Sequence, residues 1–299
     1  MKQVDTLLHF TNNFEILKQI MKEGFKASYA MESLGQRRIL VPMVSFSNLL
    51  FRDIGENEVV NYGHYGIGIR REEALKLDIN PVIYLYENSQ IDKAIQTLVD
   101  LTIIPQLLED LKPFTQIQGF TKITDQVKFN PLLDEVRELV DSIDSTTNDR
   151  LISAIANHAR KAHENVYHQI LLSKPYRVKN KNGDTRIAYN EREWRKGFAH
   201  LGFIFEKNFR GLENADFQKW IDTPKPHFNE PKNILSITIE QVSHIVLAHE
   251  NEIPEMRVYL QRLFTKTQVE KLEASGKLKI KTLAKHQSEE QKTSSMQTP

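Results

Sequence analysis

Residues 4–10 (VDTLLHF) read as a short strand, and the apolar positions Phe14, Ile16, Leu17, Ile20 and Met21 then follow helical spacing. Thr11, Asn12 and Asn13 are candidate N-caps for that helix. Gly24 is a suitable stop, because glycine readily takes the left-handed conformation that ends helices. Residues 39–47 (ILVPMVSFS), 65–70 (YGIGIR) and 81–86 (PVIYLY) carry strand character, with RREEALKL between the last two. Polar side chains able to touch a ligand stand inside these strand-like runs, which reads as a cleft lined by strands.

Near Asn88 the pattern changes. IDKAIQTLVDLTIIPQLLEDL has long helical periodicity with Pro105 as a kink or break, and further helical patterns cover about 130–143 and 148–172. A hairpin follows, since Tyr176–Val178 and Thr185–Tyr189 flank Lys181-Asn182-Gly183-Asp184 and Asn-Gly favours tight turns. Residues 201–205, 234–239 and 244–248 are strand candidates, and helices are predicted at about 252–264 and 266–275. The basic run Lys277, Lys279, Lys281 and Lys285 reads as a lysine-guarded edge strand. The predicted class is α+β: one domain over 1–284 with a mixed, mainly antiparallel sheet, a helical insertion at about 88–173, and a disordered polar tail at 285–299.

Composition narrows the function classes. Forty basic against 39 acidic residues leave a net charge of +1, so bulk charge does not call for nucleic acid or an anionic membrane. The absence of cysteine excludes disulfides, thiolate catalysis and cysteine-ligated metals. No window approaches the roughly 18 apolar residues of a membrane span, and the N-terminus lacks an apolar signal core. A cytoplasmic protein is expected, with no membrane partner.

Candidate chemistry lies in four places. His9 and Thr11 share one face of a strand, where an imidazole and a hydroxyl can bond a ribose or an amide; the alternative is a partly buried histidine beside a helix cap. Ser45 and Ser47 repeat that geometry, with Phe46 turned the other way. Gly66 and Gly68 strip side-chain bulk from one face of their strand, admitting a ligand or another backbone, and Tyr65 offers a stacking plane. Asn190-Glu191-Arg192-Glu193-Trp194-Arg195 is the densest charged cluster beside an aromatic: either a rim whose carboxylate steadies a ribosyl cation or a salt-bridged surface turn.

Other signatures fail. His163-Glu164-Asn165-Val166-Tyr167-His168 is one residue too long for a zincin motif, and no phosphate loop, Rossmann glycine fingerprint or GxSxG occurs; no metal is expected. A ribonuclease using Arg160, His163 or His168 lacks a convincing nucleophile and base.

Taken in order, HFT, GF, VPMVSFS, YGHYGIGI, NPVIY and YNEREWR resemble the AbiGi-type family of bacterial abortive phage infection proteins. The resemblance covers about 7–86, the segment from Lys174-Pro175-Tyr176 to Arg195, and loosely 234–250. Where that family's pattern has Cys-Asp after Ser-Phe, this chain has Ser47-Asn48. More distantly, the layout is similar to the NAD site of the ADP-ribosyltransferase fold. Together these likenesses imply an antiphage effector that cleaves NAD and transfers ADP-ribose to an acceptor that could be protein, DNA, RNA or a small molecule. His9, Thr11, Ser45, Ser47, Tyr65 and Gly66 would bind NAD, and Glu193 or Glu191, with His9, would act in catalysis. His9, Thr11, Tyr65 and Glu193 would then meet in one pocket. The rival implication is a non-enzymatic nucleotide- or partner-binding component of an abortive infection or toxin-antitoxin pair.

Overall fold

The computed structural model describes residues 5–34, 37–55, 59–60, 62–101, 168–179, 185–201, 204–205 and 226–295. The chain forms two compact units, one of Met1–Asn88 with Leu171–Pro299 and one of Ser89–Ile170. In the first unit the strands are β1 (Thr6–Thr11), β2 (Phe25–Lys26), β3 (Ser28–Leu34), β4 (Arg37–Ser47), β5 (Tyr65–Arg70), β6 (Asn80–Pro81), β7 (Ile83–Leu85), β8 (Ser173–Pro175), β9 (Arg177–Lys179), β10 (Thr185–Ile187), β11 (Glu193–Gly197), β12 (Ile204–Phe205), β13 (Ile234–Leu235), β14 (Val242–Leu247) and β15 (Lys279–Thr282). The helices are α1 (Phe14–Glu23), α2 (Arg71–Lys76), α3 (Gln90–Leu101, in the second unit), α4 (Glu252–Leu263), α5 (Lys266–Ala274) and α6 (Leu283–Ser295).

The main sheet runs β15-β14-β5-β1-β4-β11-β6, with β3 and β12 also paired to β4. Its pairs are antiparallel except β14 with β15. The α+β class with a mainly antiparallel sheet is therefore what the chain adopts. Because strand side chains alternate, the sheet has two distinct faces. Leu7, Phe46, Ile67, Ile69, Trp194 and Ile245 turn to the face that packs with Leu17, Ile20 and Met21 of α1, Met256 and Leu260 of α4, and Val269 and Leu272 of α5. Leu8 and Val246 turn to the other face, where Leu49, Phe51 and Ile54 form a second cluster.

Local signals explain much of this. The Asn13 carboxamide oxygen accepts the N–H groups of Glu15 (2.7 Å) and Ile16 (3.4 Å), the N-cap that the sequence offered. Asn13→Ala is expected to lower stability by about 1 kcal/mol, read as a lower urea midpoint with unchanged slope.

The glycines of β5 take a different part from the one expected. A Cβ on Gly68 would lie 2.6 Å from Thr6 Cγ2 and 3.0 Å from His244 Cβ, and one on Gly66 would lie 3.2 Å from the Phe10 ring. Side chains of the neighbouring strands occupy the space, so this face serves packing rather than ligand approach.

Three further elements depart from the sequence pattern. PVIYLY divides, with Pro81 in β6 beside β11 and Ile83–Leu85 in β7 beside β8, so two strands of different sheets replace one. Strand structure in 234–239 stops at Leu235, which pairs with Phe25. The polar tail expected to be disordered is helical through Ser295 as α6. Its anchor is local: Gln287 donates to the carbonyls of Phe51 (3.1 Å) and Ile54 (2.9 Å), and the buried His286 ring stacks on Phe51 at 4.4 Å. No apolar periodicity announces such an attachment.

In the second unit, Ser89 precedes α3 and its hydroxyl accepts the Asp92 N–H (3.2 Å), while Gln96 donates to the Asp92 carboxylate one turn back (3.0 Å). The pattern at about 130–143, most of that at 148–172, Pro105, Arg160 and His163 lie outside the described residues. Among the described residues no helix is long and apolar enough to cross a membrane.

Candidate functional site

The chemically richest place is a buried ion-pair network on the sheet face away from α1. It is assembled from β3, β8, β11 and the 3-10 turn Ala188–Glu191. Arg195, fully buried on β11, donates from Nε to Glu193 Oε1 (2.8 Å) and from Nη2 to Glu193 Oε2 (3.1 Å). Its Nη1 donates to the Leu171 carbonyl (2.8 Å), and Nη2 also donates to Glu32 on β3. Lys174 Nζ bridges Glu191 Oε2 (2.7 Å) and Glu193 Oε2 (2.6 Å). The Tyr84 hydroxyl accepts the Glu193 N–H (2.7 Å).

The electrostatics follow from three carboxylates around two cations. Burial pushes the Glu193 carboxyl up, but the charges and hydrogen bonds of Arg195 and Lys174 outweigh it and hold Glu193 down at about 2. Lys174 and Arg195 are each pushed down by burial and pulled up further by the surrounding carboxylates, so both stay charged. Glu32 goes the other way, because burial raises it and Arg195 and Lys174 only partly offset that. The Tyr84 hydroxyl is pushed up to about 12, first by burial. Such a network orients β3, β8 and β11 rigidly.

The residues nominated for NAD chemistry do not share one pocket. Cross-strand partners lie on the same face, and Leu8, Ser47 and Glu193 are partners across β1, β4 and β11. Glu193, Ser45 and Ser47 therefore stand on the face of Leu8, whereas His9 and Thr11, one residue out of phase, stand on the opposite face with Tyr65. The expected convergence of His9, Thr11 and Tyr65 with Glu193 is corrected by strand phase alone.

Each of these groups is also engaged locally. His9 Nδ1 donates to the Ser45 carbonyl (2.8 Å), and its ring lies between Phe25 (4.9 Å) and Phe46 (5.7 Å). Burial lowers its pKa and the Ser45 carbonyl partly counters that, so the ring is neutral. Thr11 is buried. The Tyr65 ring stacks on Phe14 (5.7 Å) and its hydroxyl donates to Glu252 (2.8 Å). The Ser45 hydroxyl donates to Met43 Sδ (3.3 Å). Ser47 stands beside Glu193 across β4 and β11, and Gly66 lies under Phe10. Glu191 and Glu193 are brought together, both on Lys174.

Sequence reasoning missed Glu32 and Tyr84 and gave Lys174 no role. One signal was present for Glu32: an acidic residue inside AMESL, between apolar Ala30 and Leu34 two positions to either side, in a stretch that forms β3. Among the described residues no group of three or more His, Asp or Glu side chains is placed to hold a metal ion.

Comparison with known proteins adds a family. The model described as "Putative abortive phage resistance protein AbiGi, antitoxin" matches residues 15–209, a stretch that contains every charged member of the network. No curated protein and no solved structure matches the chain.

Proposed function

Because the chain belongs to the AbiGi family of abortive phage resistance proteins, we propose that it is the antitoxin-type component of an abortive infection pair and works by binding a protein toxin. The family match over 15–209 carries this reading. The geometry favours it too. Glu191 and Glu193 are closed on Lys174 and Arg195, and His9 and Tyr65 are occupied on the opposite face by Ser45, Phe14 and Glu252. A carboxylate that steadies a ribosyl cation must be free to face it in the transition state.

The rival reading makes the chain an ADP-ribosyltransferase-like enzyme that uses NAD, with Glu193 or Glu191 promoting transfer. One pair of measurements separates the two. Co-expression with the product of the paired gene is expected to restore host growth, while purified protein incubated with NAD leaves it intact. NAD consumption by the wild type that Glu193→Gln abolishes, without loss of fold, would establish the enzyme instead.

A further inference from the structure

Four of the nine tyrosines meet in one patch: Tyr84 on β7, Tyr86 just after it, Tyr176 just after β8, and Tyr189 in the 3-10 turn Ala188–Glu191. Tyr86 stacks on Tyr176 at 4.4 Å, Tyr176 on Tyr189 at 6.2 Å, and Tyr84 meets Tyr189 edge-on at 5.4 Å. Tyr86 is 60% exposed and Tyr189 53%, so large aromatic surfaces face solvent. Beneath them the Tyr84 hydroxyl is bonded to the Glu193 backbone, next to the buried network. The patch thus has a rigid floor.

We infer that this tyrosine patch is the surface by which the chain docks an acidic face of its protein toxin, an inference that rests on the antitoxin reading above. Three observations lead there. Tyrosine supplies contact area at small entropic cost, and here the rings stack on one another before any partner arrives. Second, in the adjoining strands β9 and β10 the residues Arg177, Lys179 and Arg186 are basic and none is acidic, in a chain whose net charge is only +1. That local excess complements an acidic surface and would steer its approach. Third, the stacking of Tyr86 on Tyr176 at 18° leaves no slot between these two rings for a nucleobase to insert.

The test uses the full chain and the purified product of its paired gene. Tyr86→Ala with Tyr189→Ala is expected to weaken the dissociation constant by about 30-fold or more, in line with the loss of interface aromatics. Arg177→Glu should slow association, most visibly at low salt. Leu75→Ser, at an exposed apolar residue of α2, should leave binding unchanged. In the wild type, hydrogen exchange at residues 84–86 and 176–190 should slow when the partner is added, a readout independent of how the variants fold.

The docking site is wrong if the tyrosine double variant binds as the wild type does, or if exchange in those segments is unchanged while the partner is bound; the antitoxin reading then stands. Binding of a single-stranded RNA oligonucleotide that needs the same tyrosines, in place of the protein, also overturns it. If the wild type neither binds the partner nor restores growth, the antitoxin reading falls and this inference with it.

Discussion

Arg195→Met is expected to destabilise the protein by about 3–5 kcal/mol, the range for removing one partner of a buried ion pair. The loss goes well beyond one contact. Arg195 makes both bonds of a bidentate pair with Glu193, a bond to Glu32 and a bond to the Leu171 carbonyl, and none of these acceptors is left near water. Methionine fills much of the volume but donates to none of them. Lys174, which already bridges Glu191 and Glu193, is then the remaining cation of a network with three carboxylates, Glu32 included. Pairing the change with Glu32→Gln should recover part of the loss, because it removes the carboxylate that burial already pushes toward its neutral form.

The pH dependence gives a second readout. The folded-state pKa of Glu193, about 2, lies below the ordinary 4.5, so its contribution is complete above about 4.5 and disappears as pH falls toward 2. In Arg195→Met the main cation that holds Glu193 down is gone, and the gap between variant and wild type should narrow in acid. Urea titrations at pH 7 and pH 4 measure both effects. A loss under about 1 kcal/mol at pH 7 would mean that the network contributes little and can be replaced by apolar packing.

Acid should also release the C-terminal helix. His286 of α6 stacks on Phe51, and its ring lies 5.0 Å from that of His244 on β14. Burial lowers His286 to about 4 and His244 to about 3, the latter also feeling His286 and Lys279. Thr6 and Ser243 hydroxyls meet His244 Nδ1 at 3.3 and 3.0 Å, while His286 Nε2 is buried without a partner. Both folded-state values lie below the ordinary 6.5, so the unfolded chain takes up protons first and stability falls as pH drops below about 6.5. Between pH 7 and pH 5 linkage sets a ceiling of about 2 kcal/mol for each ring.

Thermal melts and limited proteolysis of the tail over that range should show the decline. His286→Phe keeps the stack on Phe51 and removes a titrating group, so its melting temperature should depend less steeply on pH. Equal slopes for variant and wild type would show that the histidine pair is not the acid-sensitive element.

Several elements could be read from the chain because short-range chemistry dictates them. Asn13 caps α1, Gly24 follows it at a positive φ of 91°, and α4 and α5 lie almost where their apolar spacing put them. The lysine-bearing segment became the edge strand β15, and the two arms around Asn182-Gly183 pair as β9 and β10. Strands β2 and β3 were not legible. In FKASYAMESL the apolar positions do not alternate cleanly, and β3 forms because β4 offers it a long antiparallel partner. The helical tail was likewise hidden, since its attachment depends on one histidine and one glutamine meeting a turn more than 230 residues earlier.

By itself the sequence determined the α+β class and the family, and it offered a salt-bridged turn as one of two readings of YNEREWR. What only the tertiary structure decided is where those groups face. His9 and Glu193 occupy strands separated by β4, and a shift of one residue in strand phase sends them to opposite sides of the sheet. Motif order carries no information about phase across 184 residues, because pairing register is settled by which side chains the helices and neighbouring strands can bury. That register turns the charged residues inward as a structural clasp, with the tyrosines that overlie it left facing solvent.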